Sequence, residues 1–144
     1  MVTGVIYLFI GLYTEGNAKE KPGNWVLYGK SAVGDYFFDK NSVSEISPGV
    51  FKVSEKIKYS KLGKDQIIQS KQKTNNSIKG FDKLDNGITL YNFDCGKNTV
   101  KAIKYTDYND KWDILEDSNI PNPKTEQISA DALYRELQKR ICPK

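Results

Sequence analysis

The sequence predicts an α+β domain: about six antiparallel strands in one sheet, with a C-terminal amphipathic helix packed on one face. Three observations carry that prediction. Short runs that alternate apolar and polar residues recur between turn residues from residue 24 to residue 117. The segment "ADALYRELQKRI" then changes to helical spacing. Nine tyrosines against one methionine suit a pleated sheet better than a helical bundle. The helix must bury its apolar face, and the sheet offers the only large apolar surface to receive it.

With 144 residues, 38% of them hydrophobic, the chain is long enough for one domain with one real core. It opens on a nine-residue apolar run, "VIYLFIGLY", at 5–13. That run is too short for a bilayer, which takes about 20 residues, but it suits the apolar region of a secretory signal. Gly16 and Ala18 stand at −3 and −1 for a cut after Ala18. Residues 1–18 are therefore read as a signal peptide and 19–144 as the single mature domain. "MVTG" lacks the usual basic start, which a truncated leader would account for. A buried first strand is the competing reading of 5–13. No cysteine follows the run to take a lipid.

"NWVLYG", 24–29, reads as the first strand, ending at Gly29. "GDYFFDKNSV", 34–43, is the second, with Tyr36 and Phe38 on one face and Phe37 and Asp39 on the other; "DKNS" turns it. "ISPG", 46–49, is a further turn. "VFKVSEKIKYS", 50–60, is a long strand. Phe51, Val53, Glu55, Ile57 and Tyr59 share its inner face, and Lys52, Ser54, Lys56 and Lys58 its outer one. Residues 61–86 are polar, with a short helix expected over 64–73. "GITLYNFDC", 87–95, "GKN", 96–98, and "TVKAIKYTDY", 99–108, make a hairpin. "WDILED", 112–117, is the last expected strand, and "IPNP" breaks the chain at 120–123.

Ser129 is the expected N-cap of the terminal helix, with Ile128 and Leu133 spaced as a hydrophobic staple. Ala130, Leu133, Tyr134, Leu137 and Ile141 form its apolar face. Arg135, Lys139 and Arg140 lie toward its C-terminal end, where the helix dipole favours cations. Cys142 precedes Pro143, which disfavours further helix.

Cys95 and Cys142 are the two cysteines. In an oxidising compartment they have one intramolecular pairing, and the bond would staple the terminal helix to a strand. In a reducing compartment they would be two buried thiols. No C-x-x-C spacing marks a redox pair.

The order of these features resembles the Surface-adhesin protein E family. The resemblance rests on "NWVLYGKSAVGDYFFDKNSV", "VFKVSEKIKYS", "ITLYNFDC", the "KYTDYND" turn and the C-terminal cysteine, and it runs from Asn24 to Cys142. Trp25, Phe37, Phe38, Asp39, Cys95 and Cys142 carry it. It implies a six-stranded antiparallel sheet with a disulfide-held helix, in an exported protein of the periplasm or cell surface. It also implies action by binding, as adhesion or protein–protein interaction; the family's best-known member binds host matrix and serum proteins. A periplasmic small-ligand or stress-related module, using the groove between sheet and helix, is the alternative. A deep apolar pocket would favour that alternative.

The chain has no histidine, which removes the commonest general base and metal ligand and makes a histidine-based triad impossible. No enzyme, cofactor or metal is expected, unless carboxylates of raised pKa gather in a cleft. "DYNDKWD" spaces Asp107, Asp110 and Asp113 three apart, but Lys111 and Trp112 stand where a calcium loop needs an oxygen ligand and a glycine. An Asx-rich hairpin turn is the better reading. The aromatics Tyr36, Phe37, Phe38, Phe51 and Tyr59 read as core under the helix rather than as a ligand pocket. Lys52, Lys56, Lys58, Lys61, Lys64, Lys71 and Lys73 form a candidate basic surface. It would meet matrix, serum or envelope proteins or anionic glycans; a solvated lysine face is the plainer reading. A net charge of +4 with few arginines does not suit nucleic acid. No membrane span is expected, and the oligomeric state stays open, a dimer included.

Overall fold

The structure, a computed structural model, describes residues 23–144. The expected signal peptide over 1–18 and the start of the domain at Lys19 lie outside the described residues. Eight strands and two helices follow in the order β1 (Trp25–Ser31), β2 (Gly34–Asp39), β3 (Ser44–Ser47), β4 (Val50–Tyr59), α1 (Lys61–Lys73), β5 (Leu84–Asp94), β6 (Thr99–Asn109), β7 (Ile114–Asn119), β8 (Thr125–Gln127) and α2 (Leu133–Ile141). One antiparallel sheet runs β1-β2-β4-β5-β6-β7, with β3 also on β4 and β8 also on β6. The α+β class holds, and the six strands of the main path are the six expected. The two extra strands are short and fully exposed, so they pair through backbone groups and leave no inside/outside pattern to read.

Cross-strand partners point to the same side of a sheet, so the register assigns each face. Phe38, Glu55, Thr89 and Tyr105 form one row, and Phe51, Phe93 and Val100 another, on a single face. A bulge that places Ile103 out of register keeps Ala102 and Tyr105 on that face despite their odd spacing. α2 covers one end of it: Leu137 and Ile141 pack with Tyr28, Phe38, Val53, Phe93, Val100 and Ile128. α1 covers the other end, where Lys71 pairs with Glu116, partner of Asp107 in the ladder.

The N-cap of α1 is Ser60, whose Oγ accepts from the Gly63 N–H at 3.1 Å, so the helix begins three residues before the expected Lys64. Gly63 is needed there because a Cβ would run into the carbonyl of Val33 in the β1–β2 turn. For α2 the expectation is corrected in the other direction. The helix starts at Leu133, Ala132 stands at the N-cap without a side-chain bond, and Ala130 is exposed. Ser129 instead donates to Asp131 at 3.2 Å, a local bond that competes with helix capping. Ile128 is also tied to Asn98 through both its N–H and its carbonyl, which holds the chain extended until it has passed the core. Ile128 therefore sits 2% exposed in the core rather than stapling a cap.

Cys95 and Cys142 are bonded, with their Cα atoms 5.8 Å apart. Cys142 is the C-cap of α2 and Cys95 follows the last residue of β5, so the bond ties the end of the helix to the sheet.

Candidate functional site

The second face of the sheet carries no helix among the described residues. It is built from the outward positions of β4, as the alternation predicts. Lys52 faces Asn92 and, beyond it, Lys101; Ser54 faces Leu90 and Lys104; Lys56 faces Phe37 on one side and Ile88 and Thr106 on the other; Lys58 faces Asn86 and Tyr108. At the outer edge Trp25 lies opposite Asp39. A concavity of about 260 Å³ crosses this face, lined among others by Trp25, Asp39, Leu90, Lys104 and Tyr108. Leu27 and Ile114, exposed by 43% and 58%, carry apolar surface to both edges.

Lys56 is the centre of an aromatic cluster. Its Nζ lies 4.9 Å from the Trp25 ring, 5.0 Å from Phe37 and 5.7 Å from Trp112. Each such contact is worth about 0.5–2 kcal/mol, more as water is excluded. Burial, with repulsion from Lys58, holds the Lys56 ammonium below its ordinary pKa, partly offset by Asp85. Trp112 reaches the cluster from the β6–β7 turn. Asn109 shapes that turn: its side-chain oxygen accepts from the N–H groups of Lys111 and Asp113, and its carbonyl from Trp112. Trp112 is held at φ +65°, a left-handed conformation that costs a bulky residue on the order of 1–2 kcal/mol. Its ring meets Tyr108 edge-on at 5.2 Å. Strain kept to aim a tryptophan at an open face is the kind found at working surfaces.

Three buried polar atoms among the described residues have no hydrogen-bond partner: Trp25 Nε1, Asn86 Oδ1 and Asn92 Oδ1. By register all three belong to this same face. A donor and two acceptors buried without partners on one side of the sheet leave bonding capacity that ordered water could meet.

The seven lysines of the expected basic surface are not brought together. Lys52, Lys56 and Lys58 line the helix-free face, where Lys101 and Lys104 join them. Lys61, Lys64, Lys71 and Lys73 belong to α1, which lies over the other face. Asp85 stands between the groups, ion-paired with Lys58 and influenced by Lys64. Lys71 is structural: its side chain is 11% exposed, paired with Glu116 and 5.0 Å from the Phe81 ring. Of the five aromatics, Tyr36, Phe38 and Phe51 pack with the α2 core and Tyr59 lies toward α1, while Phe37 points to the open face.

Among the described residues two carboxylates have raised pKa values, and both lie on the helix-covered face. Burial lifts Glu55 to about 7 against hydrogen bonds from Tyr28 and Tyr91, and lifts Asp107 to about 6 against one from Tyr59 at 3.0 Å. They stand two strands and one pleat apart, roughly 12 Å between backbone positions. Each is engaged by its own tyrosines and lines its own concavity, so they do not form the close pair of a glycoside hydrolase. Asp113 is bonded to Asn109 in the Asx turn, away from Asp107.

The sequence pattern of the Surface-adhesin protein E family matches residues 25–143. The chain belongs to that family. Two crystal forms of Haemophilus influenzae protein E share its fold. One, 10% identical with a TM-score of 0.55, covers 86% of this chain and 87% of that one; the second, 9% identical at 0.53, covers 86% and 91%. At such identity the likeness is one of fold. No curated protein matches the chain in sequence. Membership in the surface-adhesin protein E family makes the chain a surface adhesin, which acts by binding, and favours that role over a small-ligand or stress-related one. It also points to an exported cell-surface protein; among the described residues no helix is long and apolar enough to cross a membrane.

Proposed function

We propose that this adhesin binds through the helix-free face of its sheet, without catalysis, to acidic segments of matrix, serum or envelope proteins or to sulfated glycans, after export to the cell surface or periplasm. The observation that carries the proposal is Lys56 held among Trp25, Phe37 and Trp112 on a face that no helix covers among the described residues. The rings supply apolar area, and Lys52 and Lys101 beside them attract anions, while Lys104 is paired with Asp117 at 3.5 Å.

The test is binding of the oxidised protein to immobilised matrix proteins and to heparin. Saturable binding is expected, weakened at least tenfold by Lys56→Ala and by Trp112→Ala. A variant with Lys61, Lys64 and Lys73 all changed to Ala, on the other side of the sheet, should bind like the parent. No saturable binding by the parent protein, or loss in the α1 variant with none in the face variants, would overturn the assignment.

A further inference from the structure

The helix-covered face holds a second feature that the adhesive reading does not use. Glu55 is 2% exposed and projects from β4 into a cavity of about 300 Å³ beneath the start of α2. Four tyrosines surround it. Tyr28 donates to Glu55, and the Tyr91 hydroxyl, 3.4 Å from that of Tyr134, acts on it as well. Tyr36 and Tyr134, both half-buried, close the sides of the cavity, and Leu133 roofs it. The rings meet at angles rather than in a stack: Tyr28 and Tyr36 lie 6.1 Å apart at 58°, Tyr91 and Tyr134 5.4 Å apart at 70°. Angled rings present both faces and edges to a shared space, which is how aromatic cages are walled.

The charge balance of the cavity is one-sided. Among the described residues no cation acts on Glu55, and Tyr134 feels two carboxylates, Glu55 and Glu126. Tyr36 bonds outward, to Ser31 Oγ at 3.0 Å. A buried carboxylate is ordinarily paired with a cation, because removing one charge from water alone is costly. Phenol hydroxyls satisfy part of the carboxylate's accepting capacity and none of its charge.

We propose that this cavity is a binding site for a small organic ammonium group, with Glu55 as its counter-ion and Tyr28, Tyr36, Tyr91 and Tyr134 as its aromatic wall. An ammonium would supply the missing positive charge, and ring faces favour a cation that has shed its water. A neutral molecule of the same shape would fill the cavity and leave the carboxylate unpaired. The site is separate from the adhesive face, so neither reading depends on the other.

The probes are choline and n-butylammonium, with 3,3-dimethylbutan-1-ol as the neutral analogue of choline. Each is titrated into the full, oxidised protein at pH 8 and constant ionic strength, followed by calorimetry and tyrosine ring NMR shifts. At least one cation is expected to bind saturably, at least tenfold more tightly than the alcohol, and to shift the Tyr134 resonances. Affinity should fall at least tenfold in Glu55→Gln, and also in the parent at pH 5, where Glu55 holds its proton. Tyr36→Leu, which keeps apolar bulk against the core and removes the ring from the cavity wall, should weaken cation binding with a native spectrum, which guards against a Glu55 variant that misfolds. Failure of both cations to bind, equal binding of the alcohol, or unchanged affinity in Glu55→Gln with a native spectrum would each overturn the proposal.

Discussion

At Glu55 a carboxylate lies under α2 with a hydrogen bond from Tyr28 and the Tyr91 phenol near it, and burial outweighs both of them. Its pKa in the folded protein is about 7, against an ordinary value of 4.5. The native state therefore keeps this proton over a range where the unfolded chain has lost it. Below about pH 4.5 both states are protonated and the group costs nothing. From there to about pH 7 stability falls as pH rises, by on the order of 3 kcal/mol for this group, and above pH 7 the full penalty remains. Asp107, raised to about 6, acts in the same direction over a lower window. Urea unfolding should thus give a higher midpoint at pH 5 than at pH 8. Glu55→Gln should flatten most of that dependence and be more stable than the parent at pH 8; a midpoint that rises with pH in the parent would refute the account. The alternation of β4 already placed Glu55 as the one charged residue on an otherwise apolar face. It could not show the tyrosines, because Tyr28, Tyr91 and Tyr134 come from three other elements and meet only in the folded sheet. Lys56 and Phe37 were legible in the same way, as outward residues of adjacent strands. Trp112 was not, because its position depends on a turn conformation that Asn109 imposes.

Helix starts show where local reading works and where it is overridden. Ser60 and Ser129 are both serines ahead of helical spacing, and only Ser60 caps. Ser60 also donates to the Ala32 carbonyl at 2.6 Å and accepts the Gly63 N–H, so one side chain joins the β1–β2 turn to α1. Ser129 is exposed and bonded only to Asp131. The two alanine variants should therefore differ. Ser60→Ala should cost about 1 kcal/mol or somewhat more, and Ser129→Ala should stay within about 0.5 kcal/mol. Equal costs in urea unfolding would mean that α2 begins at Ser129 after all. The six long strands were readable because each has an inside and an outside. β3 and β8 were missed because, with every residue exposed, only backbone pairing defines them.

The described residues form one sheet whose two sides carry the two proposed sites, and the disulfide belongs to only one of them. Cys95–Cys142 closes a loop of sequence separation 47, worth about 4 kcal/mol by chain entropy. That is a large part of the roughly 5–15 kcal/mol that stabilises an ordinary domain. The bond holds the end of α2, and α2 covers the tyrosines, Phe93 and the Glu55 cavity. The aromatic cluster of Lys56, Trp25, Phe37 and Trp112 lies across the sheet and rests on β1, β2, β4 and the β6–β7 turn, none of which the bond crosses. The variant carrying Cys95→Ser and Cys142→Ser should therefore lose about 4 kcal/mol, lowering the urea midpoint by roughly 2 M. At a temperature where it remains folded, it should bind matrix proteins or heparin with the affinity of the parent. Binding of choline should weaken in the same variant, since the roof of that cavity is no longer anchored at its far end. Loss of adhesion in step with loss of the disulfide, in protein shown to be folded, would place the adhesive surface on the α2 side instead.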